Sequence, residues 1–129
     1  MATYQIKVKT SKLGTLPQGE GTDANVYIEL FGRKSDDNLH TSGEFLLDDP
    51  GVNDFERGDT NTFTTIGKEI GELEYITFWH DNFRLGAGWH CANNVVKNQT
   101  TDREWIISVN TWLAKHGDTN PFKTFYPNS

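Results

Sequence analysis

Six short segments of the chain alternate apolar and polar residues, and this period of two constrains the fold more than any other feature. The first is YQIKVKT at residues 4–10, in which Tyr4, Ile6 and Val8 alternate with polar residues. Such alternation is typical of a strand buried on one face, because successive side chains point to opposite faces. The pattern returns in NVYIELFG (25–32), GEFLLDD (43–49), NTFTTI (61–66), EYITFWH (74–80) and EWIISVNTWL (104–113).

These segments predict an all-β fold, since no longer window has a convincing helical period and β-branched and aromatic residues dominate the apolar set. Strands recurring about every dozen positions in 129 residues indicate one domain with two antiparallel sheets packed as a sandwich. Alternation is lost in HGDTNPFKTFYPNS (116–129). We therefore expect a domain over residues 1–115 and a tail over 116–129, extended or docked through Phe122, Phe125 or Tyr126.

The charge balance limits the classes of partner. A formal net charge of -6 and a pI near 5.1 argue against nucleic acid and against a purely electrostatic attraction to anionic lipid. The N-terminus has no apolar signal-peptide region, and no run is long enough for a membrane span. A soluble protein, cytoplasmic or peripheral to a membrane, is favoured. Cys91 is the single cysteine, so no internal disulfide forms, and we expect it to pack as a small apolar residue.

Acidic and amide residues concentrate in three loops, at residues 19–23, 48–59 and 80–82. A hard cation such as Ca²⁺ is bound by six to eight oxygens, which several loops at one end of a sandwich can supply. In the second loop, oxygens are offered by Asp48, Asp49, Asn53 and Asp54. Taken alone, this loop is better explained by an Asx-rich turn, because Asp and Asn side chains hydrogen-bond their own backbone in such loops.

Catalysis is poorly supported. The chain has no G-x-S-x-G, no H-E-x-x-H and no phosphate-binding Gly-rich loop, and Cys91 beside His90 is a neighbour pair and not a dyad. His80 is in phase with apolar strand residues, so we expect a core histidine that hydrogen-bonds to backbone. We therefore expect that the protein is not an enzyme.

Apolar residues also occur in loops, where no strand requires them. Leu13, Leu16, Phe83 and Leu85 either fold back onto the core or form an apolar fringe that an interfacial membrane binder would need. Tyr75 and Trp79 on the other face of their strand leave a carbohydrate-binding sandwich as a third class of function. The sequon NQT at 98–100 is meaningful only in a secreted protein.

Taken in order, GTDANVYIEL, FERGDTNTF, IGELEYITFWHDN, Trp89 and EWIISVNTWL resemble the PLAT (lipoxygenase homology, LH2) domain family. The resemblance implies an eight-stranded antiparallel β-sandwich of two four-stranded sheets. Family members are usually attached to lipoxygenases, lipases or membrane proteins and serve lipid or protein interaction.

The resemblance also implies a set of site residues. Calcium would be bound by two loops, with Asp81 as a weaker candidate. The first loop offers Gly19, Gly21, Thr22 and Asp23, and the second offers Asp49, Gly51, Asn53 and Asp54. Asp48 joins the predicted metal ligands as the oxygen donor already named in the second loop. Leu13, Leu16, Phe83 and Leu85 would contact the membrane. Phe55 and Phe63 become core residues, Gly58 a turn, and Glu56 and Arg57 a local ion pair.

Two functions follow from these observations. The first is a non-catalytic module that binds calcium at the loops and associates with a lipid or membrane surface. The second is a protein-interaction module whose calcium binding is vestigial or lost.

Overall fold

The computed structural model describes residues 1–14, 25–48, 55–80, 89–113 and 123–128. This part of the chain is all-β and contains no helix. Its strands are β1 (Ala2–Thr10), β2 (Val26–Arg33), β3 (Leu39–Leu47), β4 (Thr60–Gly67), β5 (Glu72–His80), β6 (Trp89–Asn98), β7 (Arg103–Leu113) and β8 (Lys123–Phe125).

The strands form two antiparallel four-stranded sheets with the orders β4-β1-β6-β7 and β3-β2-β5-β8. The predicted β-sandwich is therefore confirmed. Alternate residues of each strand point into the space between the sheets, as in β1, where Tyr4, Ile6 and Val8 are fully buried.

The core is richest in aromatic rings around Trp89, which is 0% exposed. Its ring lies 5.2 Å from that of Phe55 and 5.3 Å from that of Phe78, and Phe55 stacks on Phe63 at 5.6 Å. Phe55 and Phe63 are therefore core residues, as the family resemblance implied. Gly58 has φ +80° in the turn before β4, which confirms the predicted turn.

Strand β6 was missed by the alternation pattern. Its sequence WHCANNVVKN has little apolar alternation, and its register with β7 shifts between Cys91 and Asn93. A bulge places two residues opposite one, which breaks the period of two in the sequence.

Strand β8 comes from the segment that lost alternation. It pairs with β5 through Phe125 and Ile76, and Phe125 packs against the core. Beyond it, the backbone N–H of Asn128 donates to the Ile106 carbonyl at 2.8 Å, and its side-chain amide donates to Ser108 Oγ at 3.1 Å. The C-terminal segment therefore joins the edge of one sheet to β7 of the other.

Asn98, the first residue of the sequon, caps the turn between β6 and β7. Its Oδ1 accepts from the N–H groups of Thr100 and Thr101 at 3.0 and 3.3 Å. Its Nδ2 donates to both carboxylate oxygens of Glu69, at 3.0 and 3.1 Å. The side chain is 1% exposed, so the amide nitrogen serves the fold.

Candidate functional site

The strand register places the strand ends that flank all three acidic segments at the same end of the sandwich. We call this end of the sandwich the loop end. Val26 lies opposite both Leu47 and His80, Lys9 lies opposite Thr60, and Trp89 lies opposite Leu113. Segments 11–25, 48–59 and 81–88 therefore all leave and re-enter strands at this end. This geometry is what a site assembled from several loops requires.

Backbone hydrogen bonds tie the β3–β4 connection to the end of β1. Thr10 N donates to Asp59 O at 2.9 Å, and Gly58 N donates to Ser11 O at 3.3 Å. Lys9 Nζ donates to Gly58 O at 3.1 Å. These contacts hold residues 58–59 against the end of β1, where the β1–β2 connection begins.

Two buried histidines form hydrogen-bond contacts between segments at the loop end. His80 is 0% exposed, and its Nε2 lies 2.8 Å from the Leu113 carbonyl oxygen, which links β5 of one sheet to β7 of the other. The predicted core histidine is thus confirmed. His90 Nδ1 lies 2.7 Å from Ser11 Oγ, and its ring meets the Trp112 ring edge-on at 5.0 Å.

Cys91 is fully buried beside these groups. Burial raises the pKa of its thiol far above the ordinary value, and this effect outweighs the lowering by a backbone hydrogen bond of Asn93. Because the thiolate is the reactive form, this cysteine is inert and packs as the small apolar residue that was expected.

Of the predicted site residues, the structure describes Asp48 and Leu13. Asp48 is exposed and directly follows β3 at the loop end, and Leu13 is half-buried at the same end. Their roles in calcium binding and membrane contact stay predictions. The other predicted residues lie outside the described residues: Gly19, Gly21, Thr22, Asp23, Asp49, Gly51, Asn53, Asp54 and Asp81, and the apolar Leu16, Phe83 and Leu85.

A complete cation site is not formed within the described ranges, where no three His, Cys, Asp or Glu side chains come together to hold a metal. The exposed carboxylate of Asp48 is an oxygen donor of the type that calcium prefers. The Arg57 guanidinium donates to Gly14 O at 3.2 Å, and its expected ion pair with Glu56 stays a prediction.

A second surface, which the sequence only hinted at, lies on the outer face of the β3-β2-β5-β8 sheet. Its rings pair across strands: Phe31 stacks on Tyr75 at 4.7 Å and 16°, and Tyr27 on Trp79 at 5.5 Å and 13°. The Tyr126 ring lies 6.0 Å from that of Tyr75. We call this surface, formed by these five residues, the aromatic face.

The stacking bears on the carbohydrate interpretation. Two rings lying side by side in one plane on the sheet could not have centroids this close together. The near-parallel rings of each pair therefore stack face to face, with their planes upright on the sheet. Trp79 is also only 8% exposed. The pairs therefore present ring edges outward, which is poorly suited to stacking a sugar on a flat aromatic platform.

The family model for the PLAT/LH2 domain matches residues 4–124. The chain belongs to the PLAT/LH2 family. It is 34% identical over 115 residues to lipoxygenase homology domain-containing protein 1 of Mus musculus, which covers 89% of this chain and 5% of that protein.

Solved lipoxygenases contain the same fold. A coral 8R-lipoxygenase, described as activated by calcium through a C2-like domain, superposes with a TM-score of 0.79 at 23% identity, over 98% of this chain and 17% of that one. A calcium-dependent 11R-lipoxygenase gives a TM-score of 0.69 at 30% identity, with the same coverage of 98% and 17%. This PLAT/LH2 chain thus spans a small part of the relatives it matches.

Within the described residues, no helix is long and apolar enough to cross a membrane.

Proposed function

We propose that this PLAT/LH2 domain is a non-catalytic module that binds calcium at the loop end and thereby associates with a lipid surface. The observation that carries the proposal is the strand register, which gathers the ends of all three acidic segments at one end of the sandwich. The exposed carboxylate of Asp48 lies at that end. The 30% identical lipoxygenase is calcium-dependent, which supports the same cation here.

The proposed ligands come from two segments, with Asp23 as the main carboxylate of the first. The second segment contributes Asp48, Asp49 and Asp54. Bound calcium would supply the positive charge that a chain of net charge -6 lacks, and would bridge these acids to lipid headgroups. Leu13, with the apolar loop residues Leu16, Phe83 and Leu85, would then enter the interface.

Calorimetric titration of chelator-treated protein with CaCl₂ tests the cation. We expect a saturable heat and a raised melting temperature, because a ligand that binds only the folded state stabilises it, by about 2.7 kcal/mol at a hundred times Kd. Asp23→Asn and Asp54→Asn should each weaken binding by about tenfold or more, and Asp48→Asn should weaken it less.

Asp102→Asn is the matched control. Asp102 lies in the β6–β7 turn at the opposite end, and its φ of +62° suits asparagine equally well. Calcium binding should be unchanged in this variant. No heat and no thermal shift at millimolar calcium would remove the cation from the proposal.

The second candidate is a protein-interaction module without functional calcium binding. The aromatic face favours it, because four of its five rings are half-buried or exposed, and aromatic residues are enriched at protein interfaces. Vesicle binding separates the two functions, since pelleting neither with calcium nor with chelator supports this second candidate.

A further inference from the structure

The aromatic face is divided by a row of carboxylates. Tyr27, Glu29 and Phe31 are successive outward residues of β2, since the intervening residues are buried. Outward residues of a strand are about 7 Å apart. Glu29 therefore lies midway between the Tyr27–Trp79 pair and the Phe31–Tyr75 pair.

Glu29 faces a second carboxylate across the strands. Its register partner on β3 is Glu44, which is exposed. Like charges directly opposite each other destabilise a sheet. Thr41 Oγ1 donates to the Glu29 carboxylate. The ion pairs of the described residues include neither glutamate. Arg33, which follows Phe31 on the outward side of β2, is already paired with Glu74 at 2.7 Å.

The rows on either side of Glu29 and Glu44 each contain an exposed apolar side chain. Leu46 lies opposite Tyr27 and is 51% exposed, and Tyr126 beside Tyr75 is 66% exposed. Along the strand direction, the face thus presents an apolar row, then a doubly acidic row, then an apolar row, about 7 Å apart.

We infer that this face docks an extended segment of a partner protein with the pattern apolar-x-basic-x-apolar, in which the basic residue is arginine or lysine. Alternate residues of an extended chain point the same way and are also about 7 Å apart, so three such side chains match the three rows. The cation lies against Glu29 and Glu44 and offsets their repulsion. The apolar side chains pack on the ring edges and on Leu46. Anionic lipid is disfavoured at this face because the unpaired charges are negative.

The inference goes beyond calcium and lipid binding and does not depend on them. Its test uses a capped, fluorescently labelled peptide with the core Leu-Ser-Arg-Ser-Leu and its charge-reversed counterpart Leu-Ser-Glu-Ser-Leu. Fluorescence anisotropy is measured in chelator and without lipid, so that the loop end does not contribute. We expect the basic peptide to bind with a Kd that rises with salt, and the acidic peptide to bind at least about tenfold more weakly.

Glu44→Lys should weaken the basic peptide by about tenfold or more, since it replaces an attraction by a repulsion at the same place. The same substitution places a lysine opposite Glu29 and should raise the melting temperature of the free domain by roughly 3 °C. Loss of binding with gain of stability cannot come from misfolding.

Glu104→Gln is the control for Glu44→Gln, because Glu104 is an exposed strand residue on the outer face of the other sheet. Glu44→Gln should reduce peptide affinity and Glu104→Gln should not. Absence of binding at millimolar peptide, equal binding of both peptides, or unchanged affinity in Glu44→Lys would each overturn the inference. So would a Glu44→Lys variant that alters vesicle binding and leaves peptide binding intact.

Discussion

Asn98 allows a sharp test of what stabilises the fold. Asn98→Ala removes two hydrogen bonds to the Glu69 carboxylate and two from the N–H groups of Thr100 and Thr101. A net hydrogen bond contributes about 1 kcal/mol, and more when one partner is charged. The two turn residues are exposed, so water can replace their bonds in part. We therefore expect a loss of about 3 kcal/mol in the free energy of unfolding at pH 7.

The loss should depend on pH, because Glu69 is ionised in the bonded state. Desolvation by burial would raise the pKa of Glu69, but hydrogen bonds from Gly71 N–H, the Asn98 amide and Ile70 N–H outweigh it and place the pKa below 4.5. A lowered carboxyl pKa contributes stability that is present above pH 4.5 and lost as pH falls through the folded-state pKa. Asn98→Ala lacks the part of this contribution that the Asn98 amide provides. The difference in unfolding free energy between the variant and the wild type should therefore be smaller in acid than at pH 7.

Urea unfolding at pH 7 and at about pH 3 measures both effects. Gln99→Ala is the control, since the neighbouring side chain is exposed and should change stability by less than about 0.5 kcal/mol. A loss below about 1 kcal/mol at pH 7, or a loss that is the same at both pH values, would refute the role assigned to Asn98.

Two further changes test packing and backbone geometry. Burial raises the pKa of Tyr4 to about 12. The stability that the neutral Tyr4 hydroxyl contributes is therefore complete below pH 10 and is lost as pH rises towards 12. Tyr4→Phe should lower the free energy of unfolding by about 1 kcal/mol at pH 7, because the 2.7 Å hydrogen bond to Lys68 O is lost. The variant should also lose less stability than the wild type when the pH is raised, and an unchanged dependence of the unfolding free energy on pH would contradict this. Gly71 and Gly43 have φ of +73° and +87°, but an added Cβ would clash with the Arg33 carbonyl oxygen at Gly71 and meet nothing within 4 Å at Gly43. Gly71→Ala should therefore be less stable than Gly43→Ala by about 2 kcal/mol or more in urea unfolding, and equal costs would contradict the clash.

The fold was predictable where burial follows the local period of two. Tyr4, Ile6 and Val8 show it in β1, and Val26 and Ile28 show it in β2. Strand β6 escaped because its bulge and its asparagines hide the period. The pairing of β8 with β5 is a tertiary contact that no local pattern encodes.

The sites were less predictable, because they depend on register. That Glu29 faces Glu44, and that Phe31 faces Tyr75, follows from which strands are neighbours and how they align. The sequon likewise gave no sign that Asn98 caps a turn and holds Glu69. By contrast, the alternation around His80 correctly predicted a core histidine bonded to backbone.

Vesicle co-sedimentation tests the proposed calcium-dependent lipid association most directly. Chelator-treated domain is mixed with phospholipid vesicles, with calcium or with chelator, and the pelleted fraction is compared with that of Asp23→Asn. The proposal predicts pelleting that requires calcium and that falls in the variant. Pelleting in neither condition, or equal pelleting in both, would contradict it.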